Sequence, residues 1–407
     1  MCRVFTRLPS LVLAAALLSA APVAPAFADE EASVWRLFVA DQAAPTVTVL
    51  DIGNDARWQF DLTGPARLYP TPSGRAVVAV QSDDETVDFL ASGIVREAHD
   101  GHADIEIGAP RRIEETMKGP RPFHVVTHGD VVAINFDRGG YARFLTETDV
   151  LNGTIGGTRF PQNRAHHGFA VPLGDRVVSS VASEAPTAEG AAPPRVGIGV
   201  FTPDGAPVVA MAACTDLHGE AFSGDFLVAG CKEGVIALDT ARTPPAFRML
   251  AYPQAFPEGH TGTLLGARAM QAFLGNYGAG KVVVIDPVAK EPFTLVDLPF
   301  RRVDFVLDPA RPQYGYILTE DGTLHRLDLL AGAIEASAPV TAPYSMDGHW
   351  RDPRPRLAVA GDHIVVTDPL KGLVRLVDWQ TLAETGAIEV PGLPYNVVAI
   401  GGDGLTH

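Results

Sequence analysis

Cysteine is scarce: three residues in 407, at Cys2, Cys214 and Cys231. That is too few for a disulfide-dense scaffold. Positive charge is short as well, with 32 Lys+Arg against 48 Asp+Glu. Such a balance makes a poor partner for nucleic acid or an anionic membrane surface. Long amphipathic helical stretches are missing, which excludes a helical bundle. Beyond the first 28 residues no apolar run is long enough to span a bilayer, so no membrane insertion is expected. Catalytic signatures are missing too. There is no Gly-x-Ser-x-Gly elbow, no His-Glu-x-x-His, and no phosphate-cradling glycine loop with a lysine. No catalytic residue can be assigned from sequence.

The first 28 residues read as a secretory signal peptide. Arg3 and Arg7 give a positive start, Leu11–Ala21 is a short apolar run, and Ala26-Phe27-Ala28 before Asp29 is a cleavage pattern. Cys2 precedes the apolar run, where it cannot serve as a lipoprotein cysteine. The expected mature chain carries 30 Lys+Arg against 48 Asp+Glu, a net charge of −18. It is expected outside the cytoplasm. In that oxidising compartment Cys214 and Cys231 read as a disulfide, contributing about 3 kcal/mol by loop entropy. The alternative is a thiolate pair on a metal.

What the mature chain does have is repetition. Short β-branched segments recur, bounded by Gly, Pro and Asp: Ala76-Val-Val-Ala-Val80, Val131-Val-Ala-Ile-Asn135, Phe226-Leu-Val-Ala-Gly230, Lys281-Val-Val-Val-Ile285 and His363-Ile-Val-Val-Thr367 among them. A unit of about 40–50 residues with about four strands is the pattern of propeller blades. First strands are expected to start near Ala66, Pro122, His167, His218, His260, Arg302, Arg356 and Pro394. The last has no strands after it, and the mature N-terminus, from Trp35, lacks a first strand. The two ends are therefore expected to share one blade and close the ring. The expected fold is all-β, a single β-propeller over residues 29–407 with eight blades, seven being the alternative. Two loop insertions are expected, Ala98–Arg112 and Ser183–Pro194.

The candidate chemistry lies in histidine placement. His124, His167, His218 and His260 open four successive units, each five to seven residues before the glycine of the first turn. The innermost strand of a blade lines the channel, so residues at one register form a ring. Four imidazoles from adjacent blades suit Zn²⁺, which favours nitrogen and four ligands; Ca²⁺ would want oxygen donors. Asp304, Glu220 or water could complete the set. Asn396, Leu68 and Arg67 stand near this register in other units. A lone histidine there would only hydrogen-bond a neighbouring blade; four at matched positions point to metal. A second cluster, His99, His102 and Asp104, lies in the first insertion around Gly101. It reads either as a looser metal site or as a solvated acidic loop. His166-His167 and His218-Gly-Glu220 could in principle do acid–base work, and a zinc with an open position beside Glu220 could activate water.

The arrangement resembles the AztD family of periplasmic zinc metallochaperones. The resemblance spans essentially the whole mature chain. It rests on the signal peptide, the YVTN/WD-like repeats, the loop with His99, His102 and Asp104, the Pro-Phe-His124 and His-His167-Gly starts, and the Cys214/Cys231 pair. It implies a non-catalytic, monomeric carrier that holds more than one zinc. It also implies that the carrier passes zinc to the solute-binding protein of a zinc ABC transporter. The family's loop can be far richer in histidine than the two residues here. Two other readings stand beside it, a metal-dependent propeller hydrolase or lactonase and a metal-free interaction scaffold.

Overall fold

A computed structural model describes, besides Met1, residues 31–99, 102–267 and 269–406. The expected signal peptide lies outside the described residues. Eight sheets follow one another around a ring. Blades 2 to 8 follow chain order, and their innermost strands are Arg67–Pro70, Pro122–His128, Ala170–Leu173, His218–Ser223, Leu264–Ala267, Arg302–Leu307 and Leu357–Ala360. Blade 1 is composite. Its innermost strand is the C-terminal Pro394–Thr406, paired antiparallel with Glu31–Asp41, which leads outward to Thr46–Asp51 and Arg57–Asp61. The expected closure and the count of eight are what the structure has. Among the described residues only one short α-helix occurs, Glu147–Leu151, capped by Thr146 and Asp149. No helix of the described residues is long and apolar enough to cross a membrane.

The second strands are apolar on both faces because each blade is sandwiched between two others. Ala76–Gln81 and Phe226–Gly230 are buried throughout. The core is accordingly a series of interblade layers. One joins Val171, Val178 and Ile198 of blade 4 to Leu227, Ile236 and Leu238 of blade 5. Another joins Phe38 and Val49 of blade 1 to Leu68, Val77 and Leu90 of blade 2. Each buried Val, Leu or Phe contributes about 1.5–3 kcal/mol, so every blade depends on both neighbours. The Cys214–Cys231 disulfide stitches the end of blade 4 to blade 5.

One expected insertion is not a loop. Residues 94–107 form a hairpin, Ile94–His99 with His102–Ile107, and its second strand runs parallel to the end of the C-terminal strand, Asp104 opposite Leu405. Ala103 and Ile105 bury themselves there. Buried Arg36 holds the junction: it forks onto Asp51 at 2.6 and 2.9 Å and donates to the Ser92 and Gly108 carbonyls. The second expected insertion is irregular between Ser183 and Pro194. Arg164 pins it by donating to the Ser183 and Ala185 carbonyls and to Thr187 Oγ1.

Candidate metal centre

Three of the four ring histidines meet. His124 sits on the third residue of its strand, where the pairing register shifts between Pro122 and Val125. Such a bulge re-aims a side chain. A matching shift lies between His218 and Glu220, where Gly219 takes φ +73°. His167 is delivered by the segment entering blade 4. His124 Nε2 and His167 Nε2 stand 3.2 Å apart. The ring centroids are 4.6 Å apart for His124–His167, 5.3 Å for His167–His218 and 6.2 Å for His124–His218.

Two of the imidazoles are oriented from behind. His167 Nδ1 donates to Asp137 Oδ2 at 2.7 Å, and His218 Nδ1 donates to the Gly262 carbonyl at 2.6 Å. Both bonds place the proton on Nδ1 and leave Nε2 as a lone-pair donor toward the channel. Asp137 is buried, and its other oxygen, Oδ1, has no hydrogen-bond partner. Phe123 packs edge-on against His124 and His167. Loss of water in the channel pushes the His124 pKa well below 6.5, and the neighbouring His167 and His218 lower it further. Burial also lowers His218, partly offset by its bond to Gly262. Both are therefore neutral at neutral pH, the form that binds metal.

The geometry suits zinc. Two nitrogens at about 2.0–2.1 Å from a tetrahedral ion lie about 3.3–3.4 Å from each other, close to the observed separation. Among the described residues no three His, Cys, Asp or Glu side chains already stand in a finished ligand arrangement. His124 and His167 are at ligand spacing, and His218 stands farther off, its ring centroid 5.3 Å from that of His167 and 6.2 Å from that of His124.

The other expected members behave differently. His260 is exposed on the rim of a separate cleft with Lys232, Glu258 and Tyr277, close enough to His218 for its charge to be felt. Asp304 does not face the imidazoles: its Oδ2 accepts from Leu357 N of the next blade, and Arg356 approaches at 3.6 Å. Asn396 does the same for Leu68 N. At these two positions the register residue is a staple between blades. Glu220 lies near Tyr69, and burial alone pushes its carboxyl up to about 7. His166 is structural, bridging the Arg164 carbonyl and Ser180 Oγ. Arg67 is exposed at the channel mouth. Cys214 and Cys231 are consumed by their disulfide and are not metal ligands. The side chains of His99 and His102 lie outside the described residues. Their backbones pair across the hairpin, with Asp104 half-buried two residues on.

Sequence reasoning missed Asp137 and Phe123. Asp137 ends the second strand of blade 3 and reaches into the next blade's start. Polar residues recur near the ends of second strands and bond the start of a first strand: Asn135 accepts from Ala170 N of the next blade, and Asn276 from Gly262 N and Thr263 N at the start of its own. That recurrence was the available signal.

No family model matches the chain. It is 42% identical over 392 residues to the zinc chaperone AztD of Citrobacter koseri, covering 96% of this chain and 92% of that protein. A crystal structure of Citrobacter koseri AztD superposes with a TM-score of 0.88 at 40% identity, over 92% of this chain and all of that one. The dihydro-heme d1 dehydrogenase NirN, 13% identical over 93% of this chain and 77% of that one with a TM-score of 0.57, shares the fold alone. With that identity over nearly its full length, and with eight blades that bring three imidazoles together, the chain belongs to the AztD family of zinc chaperones.

Proposed function

We propose that this protein is a periplasmic zinc carrier that holds one Zn²⁺ between His124, His167 and His218 and delivers it to the solute-binding protein of a zinc ABC transporter. The observation that carries the reading is the pair of Nε2 atoms of His124 and His167 3.2 Å apart, with His167 held from behind by Asp137 and the nearby His218 by the Gly262 carbonyl. Neutral nitrogen donors on a rigid ring favour Zn²⁺ over Ca²⁺ or Mg²⁺. Three protein ligands leave a fourth position for water or for an incoming ligand, through which zinc can be exchanged without first being released. His260 is at most a rim ligand. The chain acts as a monomer, after export directed by residues 1–28. Metal analysis of protein isolated from the periplasm tests this. Wild type should carry zinc and His167→Ala should lack the tightly held ion; equal zinc in both would reject the site.

His99, His102 and Asp104 form, in this reading, a second and looser zinc position. The innermost strand of blade 1 runs from Asn396, at the level of the imidazoles, to Leu405 beside Asp104. Nine residues at about 3.3 Å each span up to about 30 Å. The hairpin thus belongs to the opposite end of the channel, which favours an independent site over a relay. His99→Ala/His102→Ala should lower zinc stoichiometry and leave channel zinc and its transfer rate unchanged. A slowed transfer would instead make the hairpin a relay for the channel zinc.

A further inference from the structure

The rim around the three imidazoles has the wrong charge for capturing free zinc. The chain is strongly acidic, with a net charge of −16. Yet the cleft of about 610 Å³ beside His167 is lined by Arg121, Arg138 and Arg164 against Asp137 alone among carboxylates. Arg164 spends its guanidinium on the irregular segment 183–194, whose Gly190–Pro193 stretch forms one wall. Arg121 leans over Phe123 and lies 3.7 Å from Asp83 and 4.0 Å from Asp137. Arg138 is exposed. Like charges at the mouth repel an aquated dication and attract an anionic surface.

A rigid aromatic stands on the same rim. The connection from blade 7 to blade 8, residues 340–356, crosses the mouth as a strap. Arg354 braces it from inside by donating to the carbonyls of Ser345, Asp347 and His349. Its far end is moored across the ring: Gln42 donates to the Arg351 carbonyl, and Arg351 pairs with Asp83 at 2.7 Å. Trp350, next to this mooring, is 62% exposed, with Arg351 4.7 Å over its ring. It borders both the cleft beside His167, where the arginines are in excess, and a second cleft in which Arg67, Arg351 and Arg356 stand against Asp41, Asp83 and Asp84. Tryptophan and arginine are the residue types that most often dominate protein–protein binding energy, and here hydrogen bonds from Arg354 and Gln42 brace the backbone beside them.

We propose that this rim, with Trp350 as its anchor and Arg138 at its edge, is the docking surface for a carboxylate-rich segment of the protein that receives the zinc. The proposal rests on the carrier reading and adds the face and chemistry of the encounter. Docking there would bring an acidic acceptor over His167 and leave the imidazoles free to yield the ion.

The test is stopped-flow transfer from the zinc-loaded mature protein to the apo solute-binding protein, at NaCl from about 50 mM to about 500 mM. Variants are Trp350→Ala, Arg138→Glu and the milder Arg138→Gln. Zinc affinity is read in parallel by chelator competition and folding by Tm. Trp350→Ala and Arg138→Glu should each slow second-order transfer about tenfold at low salt, with zinc affinity within about twofold of wild type. Arg138→Glu should also flatten the salt dependence, and polyglutamate should inhibit wild type but not that variant. Normal wild-type transfer with all variants at the wild-type rate would overturn the docking surface and leave the carrier standing. Wild-type transfer no faster than spontaneous release into chelator would overturn the carrier reading and this inference with it.

Discussion

Asp137→Asn isolates the electrostatic support of the proposed zinc site. The carboxylate accepts from His167 Nδ1 at 2.7 Å and touches no other imidazole. An asparagine oxygen can occupy the same place and keep the ring orientation while removing the negative charge. The charge matters because Asp137 is buried and its Oδ1 has no hydrogen-bond partner, so the carboxylate acts on His167 at short range, offset in part by the Arg121 guanidinium 4.0 Å from Oδ2. Outer carboxylates of this kind are worth about 10–100-fold in metal affinity, or about 1.4–2.7 kcal/mol. Since the amide keeps the hydrogen bond, the lower part of that range is expected, about tenfold. Asp137→Ala, which also frees the ring to rotate, should fall toward a hundredfold. Chelator competition gives both numbers, and Tm checks that the fold is intact. Equal affinity in wild type, Asn and Ala variants would refute the assignment of His167 as a ligand supported by Asp137.

How much of this was legible beforehand varies by element. The starts at Pro122, His218, Arg302 and Pro394 coincide with the observed strands, because Gly and Pro punctuation frames β-branched runs there. The starts at His167 and His260 precede the paired strands, which begin at Ala170 and Leu264. Side chains replace the sheet ladder over those residues: Ser180 Oγ takes the Phe169 N–H, and Asn276 Oδ1 takes those of Gly262 and Thr263. Strand pattern alone does not show such a substitution. The hairpin 94–107 read as a loop because Asp100-Gly101 marks a turn while its partner strand, near Leu405, is some 300 residues away. In the site, register singled out His124, His167 and His218, whose rings the structure brings near one another. It could not tell a ligand from a staple, since Asp304 and Asn396 share the register and bond the next blade's backbone instead.

Two further outcomes follow from the fold. Deleting residues 393–407 removes buried Val397, Val398 and Ile400, about 5–9 kcal/mol at about 1.5–3 each, against a whole-domain stability of about 5–15 kcal/mol; insoluble or strongly destabilised protein is expected, and an unchanged Tm would contradict closure through that strand. His325 is buried between Thr319 Oγ1 and Ser337 Oγ, with its pKa lowered by burial. The unfolded chain then binds more protons than the folded one between the folded pKa and about 6.5. Stability should be full above about 6.5 and fall as pH drops from there through the folded pKa. His325→Gln should flatten that part of a Tm-against-pH curve, and an identical slope in the variant would count against it.

The most direct measurement is zinc affinity in a His124→Ala/His167→Ala double variant, by chelator competition at neutral pH beside wild type. Removing both nitrogens of the 3.2 Å pair should cost at least a hundredfold, about 2.7 kcal/mol, with Tm of the metal-free protein little changed. Wild-type zinc affinity in the double variant would contradict the account of the channel as the place where this protein holds zinc.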